Sequence, residues 1–302
     1  MILVYHSIAP DNSPPVRLCV GQALSQSVFE RQIGWLAEHY QIVSLSEYMA
    51  SYKSPKFREQ KKFAVTFDDG FNETFQCVYP FVVKKNIPVT IFITTGHLEH
   101  GNLLWFSYLK ALCFENQYKF LEVNQTMFRL NTIEQKIHAW NSLRMYAREN
   151  GKPVEFCRIL SDRYPIDVAA SSTYKGMTHE QVRLAANSGL FGLGAHTINH
   201  PYLTNLSKEE QEREIIGSNS ALYAITGQPV RYFAYPGGEY DQTTLEIVKQ
   251  YYESAFAIIP QKMDAPLFEI ERIGIYSQSF LKFQLKILGV ADFARRLGLK
   301  VG

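Results

Sequence analysis

Two pairs of residues in this chain have the types and spacing to do chemistry. Asp68 and Asp69 are adjacent carboxylates that follow the run Phe63-Ala64-Val65-Thr66-Phe67 and precede Gly70. His196 and His200 are imidazoles four residues apart, just after a second strand-like run. Alone, Asp-Gly also reads as a turn that breaks a strand, and a lone His-x-x-x-His also reads as surface histidines at a helix start. Together, one aspartate and two histidines form a three-ligand facial set with open positions, suited to a catalytic metal that keeps a water. A helical turn at 196–200 would bring both rings to one ion. One divalent ion is expected: zinc first, with nickel, cobalt or ferrous iron also compatible with these donors.

Both pairs need strands that end where they begin, because parallel α/β folds place their active sites at the carboxyl ends of the strands. Short β-rich runs cover Ile2 to Tyr5, Phe63 to Phe67, Val89 to Thr94, Leu190 to Ala195, Val230 to Ala234, Ala255 to Ile259 and Phe268 to Ile275. Several are apolar on both faces, as strands buried on both sides must be. Helical patterns alternate with them, which predicts repeated βα units and a mainly parallel sheet. Ser27 to Glu30 and Ser207 to Glu210 read as capping boxes, and the second of these helices is expected to run to Gly227. Thr178 opens another that ends near Gly189, and Pro80 predicts a kink or early stop after Asn72.

Residues 97–175 break the rhythm. They are aromatic-rich and mostly helical in pattern (Leu103 to Phe114, Thr132 to Asn150), and read as an insertion packed as a cap or side wall. The whole chain, 1–302, is expected to be one domain holding that insertion, since a closed barrel uses roughly 250 residues as a single unit. The tail from Phe280 to Leu299 is amphipathic and reads as packing on the barrel.

With 31 basic and 29 acidic residues, the charge gives no reason to expect a nucleic-acid partner. The cysteines (Cys19, Cys77, Cys113, Cys157) are scattered and read as free thiols in a reducing compartment. No stretch reaches the roughly 20 apolar residues of a membrane span. The N-terminus lacks the basic region of a signal peptide. The expectation is a cytoplasmic protein, peripheral to the inner membrane at most, of unspecified oligomeric state.

TFDDG (66–70) and HTINH (196–200) resemble the first two motifs of the NodB-homology polysaccharide deacetylases, carbohydrate esterase family 4. YHSI (5–8), IPVTIFITTG (87–96), MTHEQVR (177–183), LTNLSKEE (203–210) and RYFAYPGG (231–238) fit in the same order. The similarity is greatest to the branch acting on envelope and exopolysaccharide sugars, of the poly-N-acetylglucosamine type. The resemblance implies a distorted barrel of seven βα units. It implies Asp69, His196 and His200 as metal ligands, and Asp68 as the base that takes a proton from a metal-activated water. Gly237, in the turn Tyr235-Pro236-Gly237-Gly238, falls where the family supplies an oxyanion-stabilising N–H.

Two departures stand out. The arginine that the family places before its proline pair is Ala234 here, leaving Arg272, ahead of Arg231, as the expected partner of Asp68. No histidine follows His200, so the family's usual C-terminal acid is absent from its place. A barrel sets its first and last strands side by side, so His6 is the expected substitute, with a ring titrating near neutral pH. Asp241 reads as an N-cap. His97, His100, His138 and His179 are given no role, and Trp105 and Phe106 belong to cap packing or a sugar-facing wall.

The expected activity is metal-dependent removal of N-acetyl groups from amino sugars of a surface polysaccharide or its precursor. The substrate is an N-acetylated saccharide, a lipid-linked sugar or a nucleotide sugar. A deformylase of a lipid-linked amino sugar and a non-catalytic carbohydrate-binding descendant are the alternatives. A metal-dependent isomerase or amidohydrolase on an eight-strand barrel is disfavoured, because the ligand set lacks further carboxylates or histidines.

Overall fold

The computed structural model describes residues 1–13, 23–52, 54, 61–99, 103–115, 117–167 and 174–289. Its framework is a ring of parallel strands: β1 (Ile2–Tyr5), β2 (Lys62–Phe67), β3 (Val89–Ile93), β4 (Phe191–Ala195), β5 (Tyr232–Ala234), β6 (Ser254–Ala257) and β7. The last comes in two halves, Ile270–Glu271 and Ile273–Gly274. Neighbours follow chain order from β1 to β6, every pairing parallel. The first half of β7 pairs with β6 (Phe256 opposite Ile270), and the second with β1 (Leu3 opposite Ile273). Counted as ladder segments the barrel has eight strands. Counted as chain runs it has seven, as the family resemblance implied, because one broken strand closes it. The break falls at Arg272.

Side chains alternate along each strand between two surroundings. Leu3, Val65, Ile91, Phe233 and Ala255 pack outward with helix residues such as Phe29, Ile33 and Leu36. Ile2, Ala64, Phe92, Ala234 and Phe256 pack with one another and with Leu45 and Tyr48. Small residues beside Phe92 and Phe256 let the two rings pack 5.5 Å apart inside the barrel.

Helix Lys208–Thr226 carries the expected capping box of Ser207 and Glu210 and ends on Gly227 in the left-handed region (φ 68°). Thr178 and Gln181 cap His179–Asn187 in the same way. The helix Gln26–His39 corrects one expectation: its cap is Ser25, whose hydroxyl accepts from Val28 N–H, and not Ser27. Pro80 does not end its helix, which runs through it over Asn72–Lys85. An interior proline costs about 3 kcal/mol, and burial of Phe75, Val78 and Val82 on that helix offsets it.

Between β3 and β4, the helices Trp105–Phe114, Ile133–Glu149 and Pro153–Arg163 surround their own apolar cluster, with Leu109, Leu112, Leu143 and Leu160 buried. A hairpin that the helical reading did not foresee joins this unit, Phe120–Val123 with Thr126–Arg129. Its turn residues Asn124 and Gln125 both have positive φ (50° and 63°), the conformation of the tight turns that match strand twist. The tail begins as the helix Phe280–Ile287, with Phe283 and Ile287 buried against the barrel, while 290–302 lie outside the described residues. Cys77, Cys113 and Cys157 are free and buried; Cys19 lies outside the described residues. Among the described residues no helix is long and apolar enough to cross a membrane.

Candidate active site

The carboxyl ends of β1, β2, β4 and β5 converge on one cavity of about 310 Å³, with His6, Asp68, Asp69, His196 and His200 in its wall. Strand β2 ends at Phe67, and the chain must turn at once, with Asp69 in the left-handed region (φ 73°). That conformation is uncommon for a residue bearing a Cβ. Two bonds to the Asp69 carbonyl hold it there, from Thr94 N–H (3.1 Å) and from His97 Nε2 (2.7 Å). His97 is buried, packed edge-on against Phe71, and is a supporting residue that the sequence reading left without a role. His100 lies outside the described residues, and His138 and His179 line no part of the cavity.

Arg272, at the break in β7, reaches back across the barrel. Its Nη1 and Nη2 donate to Asp68 Oδ1 and Oδ2 at 2.7 and 2.8 Å, and Nη1 also donates to Thr66 Oγ1 at 3.2 Å. Both partners are buried. Burial alone would raise the Asp68 carboxyl, but Arg272, with smaller contributions from His196 and His6, brings it down to about 2. Asp68 therefore stays ionised out of water. Arg231, the other candidate, is exposed on the rim with Glu253 at 3.5 Å.

Asp69 has the opposite character. Its Oδ1 is buried with no hydrogen-bond partner, 3.7 Å from His196 Nε2 and 3.6 Å from His200 Nε2. Burial, and then the Asp68 charge, push its carboxyl well above the usual range. A lone buried carboxylate is costly, and a dication between these atoms would remove the cost. One donor atom from each of Asp69, His196 and His200 lies within 4.8 Å of the others. His196 Nδ1 is 2.7 Å from the Ala234 carbonyl, which fixes the tautomer and turns Nε2 to Asp69. The donor set fits a divalent cation.

The second histidine arrives by a route that spacing did not indicate. Residues 196–200 are not helical; Thr197 and His200 have positive φ (67° and 56°). Glu214 holds this loop, accepting from Ile198 N–H (2.9 Å), Asn199 N–H (2.8 Å) and Asn199 Nδ2 (2.7 Å). The indole of Trp105 donates to the His200 carbonyl at 3.0 Å, and Phe106 packs edge-on to the His200 ring at 5.0 Å. Trp105 is thus buried in the core of the insertion and is also part of the cavity wall.

His6, at the end of β1, brings Nε2 to 3.9 Å from Asp68 Oδ2. Its pKa departs from the neutral value expected. Burial lowers it, and although Asp68 pulls it back up, Arg272 and His196 oppose that, leaving it at about 4. In the turn after β5, Tyr235 N–H donates to Phe256, Gly238 N–H to Tyr235 and Glu239 N–H to Pro236. Pro236 has no N–H, so among the described residues Gly237 is the amide of this turn left without such an acceptor. The Tyr235 ring stacks on Tyr240 at 4.2 Å, and its hydroxyl donates to the Phe268 carbonyl. Asp241 caps the next helix through Thr244 N–H (2.8 Å).

A polysaccharide deacetylase family model matches residues 56–253. YxkH of Bacillus subtilis (strain 168), which carries a polysaccharide deacetylase name, is 21% identical over 253 residues, covering 82% of this chain and 60% of that protein. The poly-beta-1,6-N-acetyl-D-glucosamine N-deacetylase of Staphylococcus aureus (strain N315) is 37% identical over 81 residues, 26% of this chain and 28% of that protein. The match thus spans less than two thirds of either relative. Among solved structures, the Streptococcus pyogenes deacetylase PplD in complex with acetate superposes with a TM-score of 0.60 at 19% identity, covering 95% of this chain and 96% of that one. IcaB from Ammonifex degensii superposes at 0.58 and 18% identity, covering 95% of both. These similarities show the shared fold, and the family model covers the strands that carry both motifs: the chain belongs to the polysaccharide deacetylase family.

Proposed function

We propose that this protein is a metal-dependent N-deacetylase of amino sugars in a surface polysaccharide. One observation carries the reading: an ionised carboxylate gripped by Arg272 stands next in sequence to a carboxylate whose buried Oδ1 accepts no hydrogen bond and faces two histidines. Hydrolysis of an amide needs that division of labour between a base and an electrophile-holding site.

Asp69, His196 and His200 would hold the ion, zinc being the best match to two imidazoles and a carboxylate. A divalent ion there supplies Lewis acidity, making water more acidic and an amide carbonyl more electrophilic. Asp68 Oδ2 takes the proton of the attacking water. Arg272 favours the ionised form of Asp68, so its carboxylate gives that proton up readily, and His6 Nε2 stands 3.9 Å from Oδ2. The proton then passes from Asp68 Oδ2 to His6 Nε2, and from there to the departing nitrogen. As the C–N bond breaks, the amine leaves with that proton and the acyl group leaves as acetate. In this scheme His6 is neutral at rest and is charged only during turnover. The Gly237 N–H is the group assigned to the developing oxyanion.

The match to the Staphylococcus aureus enzyme favours a β-linked N-acetylglucosamine polymer as the substrate class. The test is acetate release from N-acetylglucosamine oligomers by zinc-loaded protein, beside a chelated sample and Asp68→Asn. Release that disappears in both controls supports the reading. A binding-only protein would hold the oligomers and release nothing.

A further inference from the structure

We infer that the helix Ile133–Glu149 builds a subsite for an anionic group on the saccharide, with the Arg144 guanidinium, backed by the Trp140 ring, as its donor. The inference rests on the saccharide reading above and narrows its substrate class. Trp140, Arg144 and Arg148 recur every four residues and so share one face of the helix. Trp140 and Arg144 line the same cavity as the metal-ligand set, and Arg148 lies over the ring of Tyr202, another wall residue, at 5.6 Å.

The charges on this wall are not all answered by the protein. Arg148 pairs with Glu239 at 2.8 Å. Lys110, on the facing helix, feels Glu115 and Glu73. Arg144 forms no ion pair among the described residues; its guanidinium is stacked over Trp140, 4.8 Å from the ring centre. A guanidinium held over an aromatic ring presents several charged N–H donors to the cavity and no acceptor. A neutral sugar hydroxyl needs no such charge, whereas the fork of an arginine matches the paired oxygens of a carboxylate or phosphate. The shared chemistry is an oxyanion attached to, or one residue from, the acetylated sugar.

The experiment is calorimetric titration of zinc-loaded protein with three probes: a neutral N-acetylglucosamine disaccharide, its 6-phosphate, and the disaccharide carrying a lactyl carboxylate. At least one anion should bind roughly tenfold more tightly than the neutral probe. That advantage should shrink to about twofold or less in Arg144→Gln, and be reduced in Trp140→Leu, which removes the ring beneath the guanidinium. Gain by the phosphate alone points to a phosphorylated polymer, and gain by the carboxylate alone to an acidic sugar. Equal binding of all three, binding of none, or a preference that survives Arg144→Gln overturns the inference; the last would place the anion on the metal. Binding is read in the zinc-loaded Asp68→Asn background, which lacks the base, and acetate release in the chain with Asp68 intact, which keeps the two readings separable. An Arg144-dependent preference without acetate release sinks the deacetylase alone, and release without a preference sinks the subsite alone.

Discussion

Arg272 and Asp68 form a two-point, fully buried ion pair, with both guanidinium nitrogens 2.7 to 2.8 Å from the two carboxylate oxygens. The residues are far apart in sequence and meet only because β7 closes the barrel beside β1, which lies next to β2. The grip fixes the carboxylate in orientation and in charge.

Removing Arg272 should therefore do more than weaken the fold. Arg272→Met leaves a buried carboxylate unpaired, which costs about 3–5 kcal/mol, and acetate release should fall with it. The pH dependence separates the pair from general damage. The folded Asp68 pKa, about 2, lies below its ordinary value of 3.8, so its contribution is present above pH 4 and lost as pH falls toward 2. That contribution is about 2 kcal/mol by linkage. In Arg272→Met the largest group opposing burial is gone, the pKa rises, and acidification should relieve the fold instead of weakening it. Thermal melts of both proteins from pH 3 to 6 would reveal the change of slope; parallel curves would refute the pairing account.

Asp69 should behave oppositely. Its raised pKa means that its charged form opposes folding at neutral pH in the metal-free protein. Asp69→Asn should therefore raise the melting temperature of the chelated protein at pH 7. The same substitution should abolish the rise that zinc gives the unmutated chain, since a folded-state ligand stabilises in proportion to its binding. Melting curves with zinc and with chelator give both signs at once. An Asp69→Asn protein that still gains stability from zinc would show that the ion binds elsewhere.

Sequence and structure agree where chemistry is local and part company where it is not. Strand ends at Phe67 and Ala195 were legible because buried parallel strands are short apolar runs, and Ser207, Thr178 and Asp241 announced their helices through capping spacing. Arg272 could be selected because few arginines lie on late strands, although its reach to Asp68 depends on barrel closure. Glu214 and His97 carried no such signal: each acts on backbone groups of a loop distant in sequence. The helical geometry expected for 196–200 failed for the same reason, since Thr197 and His200 take positive φ and the distant Glu214 holds the amides of Ile198 and Asn199 between them. Burial of His6, which moves its ring from near 6.5 to about 4, is likewise a property of the assembled cavity.

Glu214 gives a third prediction. Glu214→Gln keeps the volume but replaces one accepting oxygen of the carboxylate with a donor, beside amides that also donate. The loop that positions His200 should loosen, and zinc affinity should fall about 10- to 100-fold, as for other groups that orient metal ligands. Competition with a fluorescent chelator measures this directly. Unchanged affinity would mean that Trp105 and Thr197 hold the loop without it.

Gly237 offers a fourth. It has positive φ (64°), and a Cβ there would lie 3.0 Å from the ring of Tyr202. Gly237→Ala must move the turn or the ring, shifting the amide assigned to the oxyanion. Loss of one such donor costs about 10²- to 10³-fold in kcat. The loss should fall on kcat, with KM little changed, because the bond forms only in the transition state. A change confined to KM would reduce the turn to a substrate wall.

The final prediction concerns His6 and is the most exposed to failure. If the ring relays a proton from Asp68 to the amine, it must be neutral at rest, and its pKa of about 4 makes it so throughout the neutral range. With zinc saturating, kcat/KM should hold level from pH 7 down to about 5, where an exposed histidine would already impose an acid limb near 6.5. His6→Ala should slow amide hydrolysis by about 10²- to 10⁴-fold, the usual worth of a positioned acid. It should spare an aryl acetate ester, whose phenolate leaves without a proton. A variant that loses ester and amide hydrolysis equally would make His6 a structural neighbour of Asp68. A fall in kcat/KM as pH rises through about 6.5 in the unmutated protein would instead show that the ring must hold its proton at rest, so that the relay is not needed.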